Sequence, residues 1–219
     1  MLAACLFDLD GVLVDTAKHH YTAWKKLAEE KIGVSFTHED NEALKGLSRA
    51  ESLSYILSKT TQTFSEAEQL SMMDEKNANY LEAVAQLTPD DLLPGALSLL
   101  RELREHHIKT ALGSASKNAP LIIEKLGIVS YLDAVIDGNV VTLSKPNPAV
   151  FNKGAEVLGV PPANTIVFED AVSGVAAAKA GGFHCVGIGE PEALTQADMV
   201  VADLSYVTIE SLKNRFFNS

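Results

Sequence analysis

Residues 1–12 read Met1-Leu2-Ala3-Ala4-Cys5-Leu6-Phe7-Asp8-Leu9-Asp10-Gly11-Val12, an apolar run that stops at two aspartates two residues apart. Residues 2–9 have the length and the apolar character of a short strand buried on both faces. Side chains alternate along an extended backbone, so Asp8 and Asp10 are expected on one face at its C-terminal end. The C-terminal edge of a parallel sheet is where open α/β folds bind ligands. Two carboxylates held that close repel unless a proton or cation intervenes, which points to a hard ion such as Mg2+. Gly11 supplies a tight exit from the strand. An exposed Asp-Gly turn opening a loop would carry the same letters, so the reading turns on the rest of the chain.

Outward from this stretch a rhythm repeats. Apolar runs at 108–112, 134–136, 165–168, 185–188 and 199–201 read as strands, and 96–106, 118–126, 149–158 and 172–180 have helical spacing. Strands alternating with helices of about 10 to 15 residues indicate βαβ units. Right-handed crossovers place such helices on both faces of a parallel sheet. The expected fold is therefore α/β, a Rossmann-like doubly wound parallel sheet. Residues 15–87 interrupt it with helical candidates at 16–30, 48–57 and 65–84. The first has Thr16 as N-cap and Trp24, Leu27 and Ala28 on an apolar stripe; the last opens on Ser65-Glu66-Ala67-Glu68, a capping-box pattern. Lacking a convincing strand, 15–87 are expected to form an inserted helical cap domain, with 1–14 and 88–219 as the core and the chain returning near Pro89 and Pro94.

Three more strand ends carry polar groups. Residues 108–116 run from a strand into Gly113-Ser114-Ala115-Ser116, suited to a phosphate held by a hydroxyl and backbone N–H groups. Ser144-Lys145-Pro146-Asn147-Pro148 sets a lysine beside a stiffened turn as a counter-charge, and Phe168-Glu169-Asp170 delivers a second carboxylate pair. Each also fits a structural role: Ser114 and Ser116 as helix caps, Lys145 as a solvated lysine, Glu169-Asp170 as an N-cap pair.

The chain has 219 residues, 47% apolar and 21% charged, which suits a globular protein with a sizeable core. Its 18 Lys and Arg against 29 Asp and Glu leave a net charge of −11. Such a field repels phosphate backbones and anionic lipid, so neither nucleic acid nor a membrane is an expected partner. A small anion is not excluded, because a few cations in a cleft set the local potential. Cys5 and Cys185 lie in apolar runs, as buried thiols of a reducing compartment do. The first residues lack the basic start and long apolar stretch of a signal peptide, and no run approaches the roughly 18 apolar residues that span a bilayer. A cytoplasmic setting is expected.

Asp8-Leu9-Asp10-Gly11-Val12, Ser114 with its strand, Lys145-Pro146 and Glu169-Asp170 stand at four strand ends in this order. In this the chain resembles the haloacid dehalogenase superfamily of phosphoryl-transfer enzymes, across essentially its full length. The helical insertion is similar to the first type of cap in that superfamily, which closes over the site and selects substrates. Segments 15–20 with Ala23-Trp24, 44–52, 76–80 and 114–120 look most like members that isomerise β-D-glucose phosphates. Ala149 and Ala171 depart from the pattern, standing where relatives commonly carry Asp and Ser; neither removes a catalytic group.

The resemblance implies roles for named residues. Asp8 would be the nucleophile that forms an aspartyl-phosphate and Asp10 the general acid and base. Mg2+ would be held by the Asp8 carboxylate, the Asp10 carbonyl and Asp170, with Glu169 at or near the ion. Ser114, the Ala115 N–H and Lys145 would hold the transferring phosphoryl group, whose spread charge makes positioning and electrostatics the main contributions. A second, non-reacting phosphate falls to Arg49 with Ser116, Lys117 and Asn118 beside it, since a guanidinium grips phosphate with two hydrogen bonds. Lys45, Gly46, Ser52 and Lys76 would meet the sugar, with Trp24 in the same binding set, and His20 with Thr16 would tie cap closure to Asp10. On their own, Arg49 and Lys76 read as a solvated helix face. His19, His38, His106 and His107 are read as surface residues.

The activity so implied is isomerisation of β-D-glucose 1-phosphate and D-glucose 6-phosphate through β-D-glucose 1,6-bisphosphate, by a monomer whose partners are small sugar phosphates. A Mg2+-dependent sugar-phosphate phosphatase is the alternative on the same scaffold, with water replacing the sugar hydroxyl. A dehalogenase has no use for Mg2+ or for the acid at Asp10. A non-catalytic sugar-phosphate binding module would not require a nucleophile paired with an acid.

Overall fold

The structure, a computed structural model, describes residues 1–217. In chain order, β1 (Ala4–Phe7) is followed by four helices, α1 (Ala17–Leu27), α2 (His38–Ala43), α3 (Arg49–Leu57) and α4 (Glu66–Val84). Then come α5 (Ala96–Glu105), β2 (Lys109–Gly113), α6 (Ala119–Lys125), β3 (Ala134–Ile136), α7 (Ala149–Leu158) and β4 (Thr165–Glu169). The chain continues through α8 (Val172–Ala180), β5 (His184–Ile188), β6 (Met199–Val201) and α9 (Ile209–Phe216).

The strands form one sheet in the order β3-β2-β1-β4-β5-β6, every neighbouring pair parallel. The chain builds from β1 to one edge through β2 and β3, then crosses to the other side of β1 and builds through β4 to β6. This reversal opens a crevice beyond the C-terminal ends of β1 and β4, where doubly wound sheets bind ligands. Phe7 and Phe168 are in register and their rings stack at 4.8 Å. Asp8 and Glu169 therefore emerge side by side, one residue further on.

Period-two alternation sorts the strands' side chains into two cores. Cys5, Phe7, Leu112 and Phe168 pack with α5, α6 and α9, while Ala4, Leu6, Ala111 and Val167 pack with α7 and α8. Helices α1, α3 and α4 and the segments between them gather around Trp24, Leu27, Phe36, Leu53 and Ile56, and meet the sheet's core through Ala23, Tyr80 and Val84. The two connections to these helices lie together: Val14 bridges Leu92, and the Leu93 N–H donates to the Leu13 carbonyl at 2.9 Å.

Several elements differ from their expected bounds. Strand β1 is shorter than 2–9 because the chain leaves the ladder after Phe7: Gly11 takes a φ of 76°, and the N–H groups of Leu13 and Val14 turn back to the Leu9 carbonyl. The helix expected over 16–30 is α-helical to Leu27 and ends in a π-helical turn, Ala28–Ile32, closed by Gly33 in the left-handed region. Helix α2 has no apolar stripe, burying only Asp40 and Asn41; a reciprocal cap between Thr37 and Asp40 starts it. Helix α9, outside the repeating pattern, buries Ile209 and Leu212. His38, His106 and His107 are exposed, whereas His19 is half-buried.

Candidate active site

A cavity of about 550 Å³ lies between α1–α4 and the C-terminal ends of β1, β2 and β4. Every residue expected at the site lines it except Thr16. Thr16 sits behind Asp10, fully buried. It occupies the N-cap position of α1 without a capping bond from its side chain, because its hydroxyl donates to Asp10 Oδ1 instead. The Tyr80 hydroxyl lies 3.0 Å from Thr16 Oγ1. With its one proton committed to Asp10, Thr16 accepts from Tyr80, so a two-bond chain runs from α4 to Asp10. Burial pushes Asp10 up to about 7; the Thr16 bond opposes this and the charges of Asp8 and Asp170 add to it.

Asp8 follows β1, and its N–H donates to the Phe168 carbonyl at 3.0 Å. Lys145, 2% exposed, places Nζ 2.5 Å from Asp8 Oδ1 and also against Glu169 Oε1. Burial alone would neutralise such a lysine, but Asp8 and Glu169 hold it above the ordinary lysine range. Asp8, Glu169 and Asp170 each offer an oxygen, all within 4.8 Å of one another. Burial drives Glu169 and Asp170 upward; Lys145 opposes this at Glu169 and Lys45 at Asp170, while the charge of Asp8 adds to both. An all-oxygen, carboxylate-rich set under mutual repulsion suits a hard divalent cation. Glycine makes room for it, since a Cβ at Gly11 would run into the Asp170 carboxyl and one at Gly174 into that of Glu169.

Ser114 leaves β2 buried, and its Oγ accepts from the Ser116 N–H at 3.1 Å. Ser116 Oγ in turn accepts from the Asn118 N–H at 3.2 Å, leading the chain into α6. On the helical side, Lys76 is 2% exposed and its Nζ lies 2.7 Å from His20 Nδ1, over the rings of Trp24 and Tyr80 at 4.7 Å each. Burial, with Arg49 nearby, pushes Lys76 down to about 7. The same burial, with Lys76 beside it, holds His20 well below its ordinary range, so its neutral ring can accept from Lys76. His20 thus meets Lys76 rather than Asp10; Thr16 alone of that expected pair bonds to Asp10.

Lys45 lines the cavity with its charge already paired. Its Nζ is 2.9 Å from both Asp170 Oδ2 and Glu42 Oε2. Gly46, at a φ of 81°, brings this turn so near α8 and the loop before α7 that a Cβ would come within 2.6 Å of Ser173 Oγ and 3.2 Å of Lys145 Cβ. Arg49 opens α3, its guanidinium on Asn77; Ser52 is buried on the same helix. Trp24 is buried and Lys117 exposed. Sequence reasoning passed over Asn77, Glu51 and Ser144. Asn77 stands beside Lys76 in a stretch already singled out, which was the available signal. Glu51 completes the α3 capping box and also accepts from Ser144 Oγ, next to Lys145; no local pattern predicts that contact.

This geometry has relatives. A family model described as haloacid dehalogenase-like hydrolase matches residues 2–182. The chain is 41% identical over 213 residues to a β-phosphoglucomutase of Bacillus subtilis (strain 168), covering 96% of this chain and 94% of that protein. The solved structure of a β-phosphoglucomutase from Clostridium difficile superposes with a TM-score of 0.95 at 40% identity, covering 99% of this chain and 97% of that one. A validoxylamine A 7'-phosphate phosphatase of Streptomyces hygroscopicus subsp. limoneus is 29% identical over 213 residues, covering 94% of this chain and 96% of that protein.

Proposed function

The chain belongs to the haloacid dehalogenase-like hydrolase family, and from that premise we propose that it catalyses the β-phosphoglucomutase reaction, interconverting β-D-glucose 1-phosphate and D-glucose 6-phosphate. One observation carries isomerisation over hydrolysis. The cavity holds two sets of anion-binding groups: Lys145 and Ser114 beside Asp8, and Arg49, Lys117 and Asn118, of which Arg49 and Asn118 meet through Asn77. A sugar carrying two phosphates requires both; hydrolysis of a monophosphate requires only the first.

In this reading Asp8 Oδ attacks the phosphorus of β-D-glucose 1,6-bisphosphate, the bond from phosphorus to the sugar oxygen breaks, and Asp10 gives that oxygen its proton. Release of D-glucose 6-phosphate leaves an aspartyl-phosphate; the 6-hydroxyl of an incoming β-D-glucose 1-phosphate then attacks its phosphorus, yields its proton to Asp10, and frees the Asp8 carboxylate as the bond from phosphorus to Asp8 breaks. An acid whose pKa sits near neutrality serves both directions, which is what burial gives Asp10. Lys145, Ser114 and the Ala115 N–H hold the transferring group, while Arg49, Ser116, Lys117 and Asn118 hold the other phosphate. Lys45, Gly46, Ser52, Lys76 and Trp24 line the side of the cavity that takes the sugar, with His20 behind Lys76, and Thr16 connects the helices to Asp10. Mg2+, held by Asp8, Asp170, the Asp10 carbonyl and Glu169, supplies positive charge against the developing phosphoryl charge when bound. Residues 15–87 act as the cap and 1–14 with 88–219 as the core. The whole site comes from one chain, which supports a monomer, and the free buried thiols Cys5 and Cys185 support a cytoplasmic setting.

Purified protein given β-D-glucose 1-phosphate, Mg2+ and a trace of the bisphosphate is expected to form D-glucose 6-phosphate without matching inorganic phosphate. Inorganic phosphate in place of the isomer would make it a phosphatase. Turnover surviving Asp8→Asn would rule out the aspartyl-phosphate route altogether.

A further inference from the structure

The second set of anion-binding groups is organised by a side chain that itself carries no charge. Asn77 Oδ1 accepts from Arg49 Nη2 at 2.7 Å and from Asn118 Nδ2 at 2.9 Å. A guanidinium has no acceptor, so the amide must turn its oxygen toward both donors. The three residues come from three elements: Arg49 is the first residue of α3, Asn118 immediately precedes α6, and Asn77 lies on α4. Both donor nitrogens therefore lie within hydrogen-bonding distance of a single point. One phosphate oxygen bridging the cap helices and the sheet would need the same arrangement. Lys76, the preceding residue, is committed to His20, which leaves Arg49 to Asn77.

Resting on the isomerase reading, we propose that Asn77 is a positioning residue for the non-reacting phosphate: its amide oxygen holds Arg49 and Asn118 at the spacing of a phosphate oxygen and yields them when the phosphate arrives. A phosphate brings negative charge to both donors and grips the guanidinium with two bonds where the neutral amide oxygen makes one, so the exchange runs toward phosphate. Neutrality is the operative property. A carboxylate at position 77 would keep the guanidinium in a two-pronged ion pair and set a like charge against the incoming anion. An isomerase must grip a bisphosphate in two orientations, and a neutral holder keeps the two donors in register between one grip and the next.

The test separates holding from bracing. In an Asp8→Asn parent, where no phosphoryl transfer occurs, the Kd of β-D-glucose 1,6-bisphosphate is measured calorimetrically in Mg2+. Adding Asn77→Asp is expected to raise that Kd roughly tenfold, and Asn77→Ala by less, with thermal midpoints little changed. With Asp8 restored, Asn77→Asp raises KM while kcat is largely kept. If Asn77 only braced the fold, Asp would be the better brace for Arg49, so a Kd unchanged or lowered by Asn77→Asp overturns the proposal. A parent that fails to bind the bisphosphate overturns the isomerase reading instead. The same pair titrated with inorganic phosphate then decides Asn77 by the same comparison.

Discussion

A single hydroxyl connects the helices to Asp10. Thr16 Oγ1 donates to Asp10 and pairs with Tyr80, and its bond to Asp10 opposes the upward push of burial. Thr16→Val removes that opposition, so Asp10 should bind its proton more tightly, at a pKa above about 7. In the proposed reaction phosphoryl transfer to a sugar hydroxyl needs the Asp10 carboxylate, and the acid limb of activity should move to higher pH in Thr16→Val. An unmoved limb in the pH–rate profile would show that Thr16 does not tune Asp10. Asp10→Asn, which can neither give nor take the proton, should lower kcat by about 10² to 10⁴ in the same assay. The Asp8–Asp10 pair was legible from its spacing after an apolar run. From local pattern the hydroxyl behind it read as an ordinary helix cap, because a Thr one residue before a helix looks the same whichever way its side chain turns; only the family resemblance tied it to Asp10.

At the scale of the element, α2 shows how a helix without an apolar stripe is held. Asp40 accepts from the Thr37 N–H at 2.8 Å, from Lys59 Nζ at 2.5 Å and from the Tyr55 hydroxyl at 3.0 Å. Lys59 above all, helped by the Thr37 N–H, holds its carboxyl down to about 2 from an ordinary 3.8. A depressed carboxylate pKa stabilises the folded chain fully above the unfolded value. That contribution should therefore disappear as pH falls from near 4 toward 2. Asp40→Ala loses a cap and leaves Lys59 and Tyr55 without their acceptor, and should cost about 2 kcal/mol in thermal or urea denaturation at neutral pH. A variant with an unchanged midpoint would show that α2 is held by other contacts. Helices α1, α3 and α4 were legible because apolar spacing and Ser or Thr caps coincide in their sequences. Helix α2 was not, since its anchors, Tyr55 and Lys59, lie on and beyond the next helix and act through charge rather than period.

Across the whole molecule, three polar ties join the helices to the sheet around the cavity. Lys45 reaches Asp170, and its carbonyl accepts from Ser173 Oγ at 3.1 Å. The Ser48 N–H donates to Ser144 Oγ at 3.1 Å and Glu51 accepts from that hydroxyl; Asn77 accepts from Asn118. Each joins residues far apart in the chain, so none could be read from local pattern, whereas the doubly wound parallel sheet followed from the βαβ rhythm; its strand order, with the reversal beside β1 that opens the crevice, is set by the tertiary fold. Closure that excludes water protects a reactive intermediate. Ser144→Ala should therefore raise the inorganic phosphate released per glucose 6-phosphate formed several-fold, read in parallel phosphate and isomerase assays; an unchanged ratio would place water exclusion elsewhere. The pairing of Val14 with Leu92 has a further consequence. Both feet of the helical segment stand on adjacent backbone, so the segment joins the sheet as a branch joins a trunk. Descendants of this chain can lengthen, trim or exchange the branch without re-registering a strand, and preference for one sugar over another can drift while Asp8 and its neighbours keep their places.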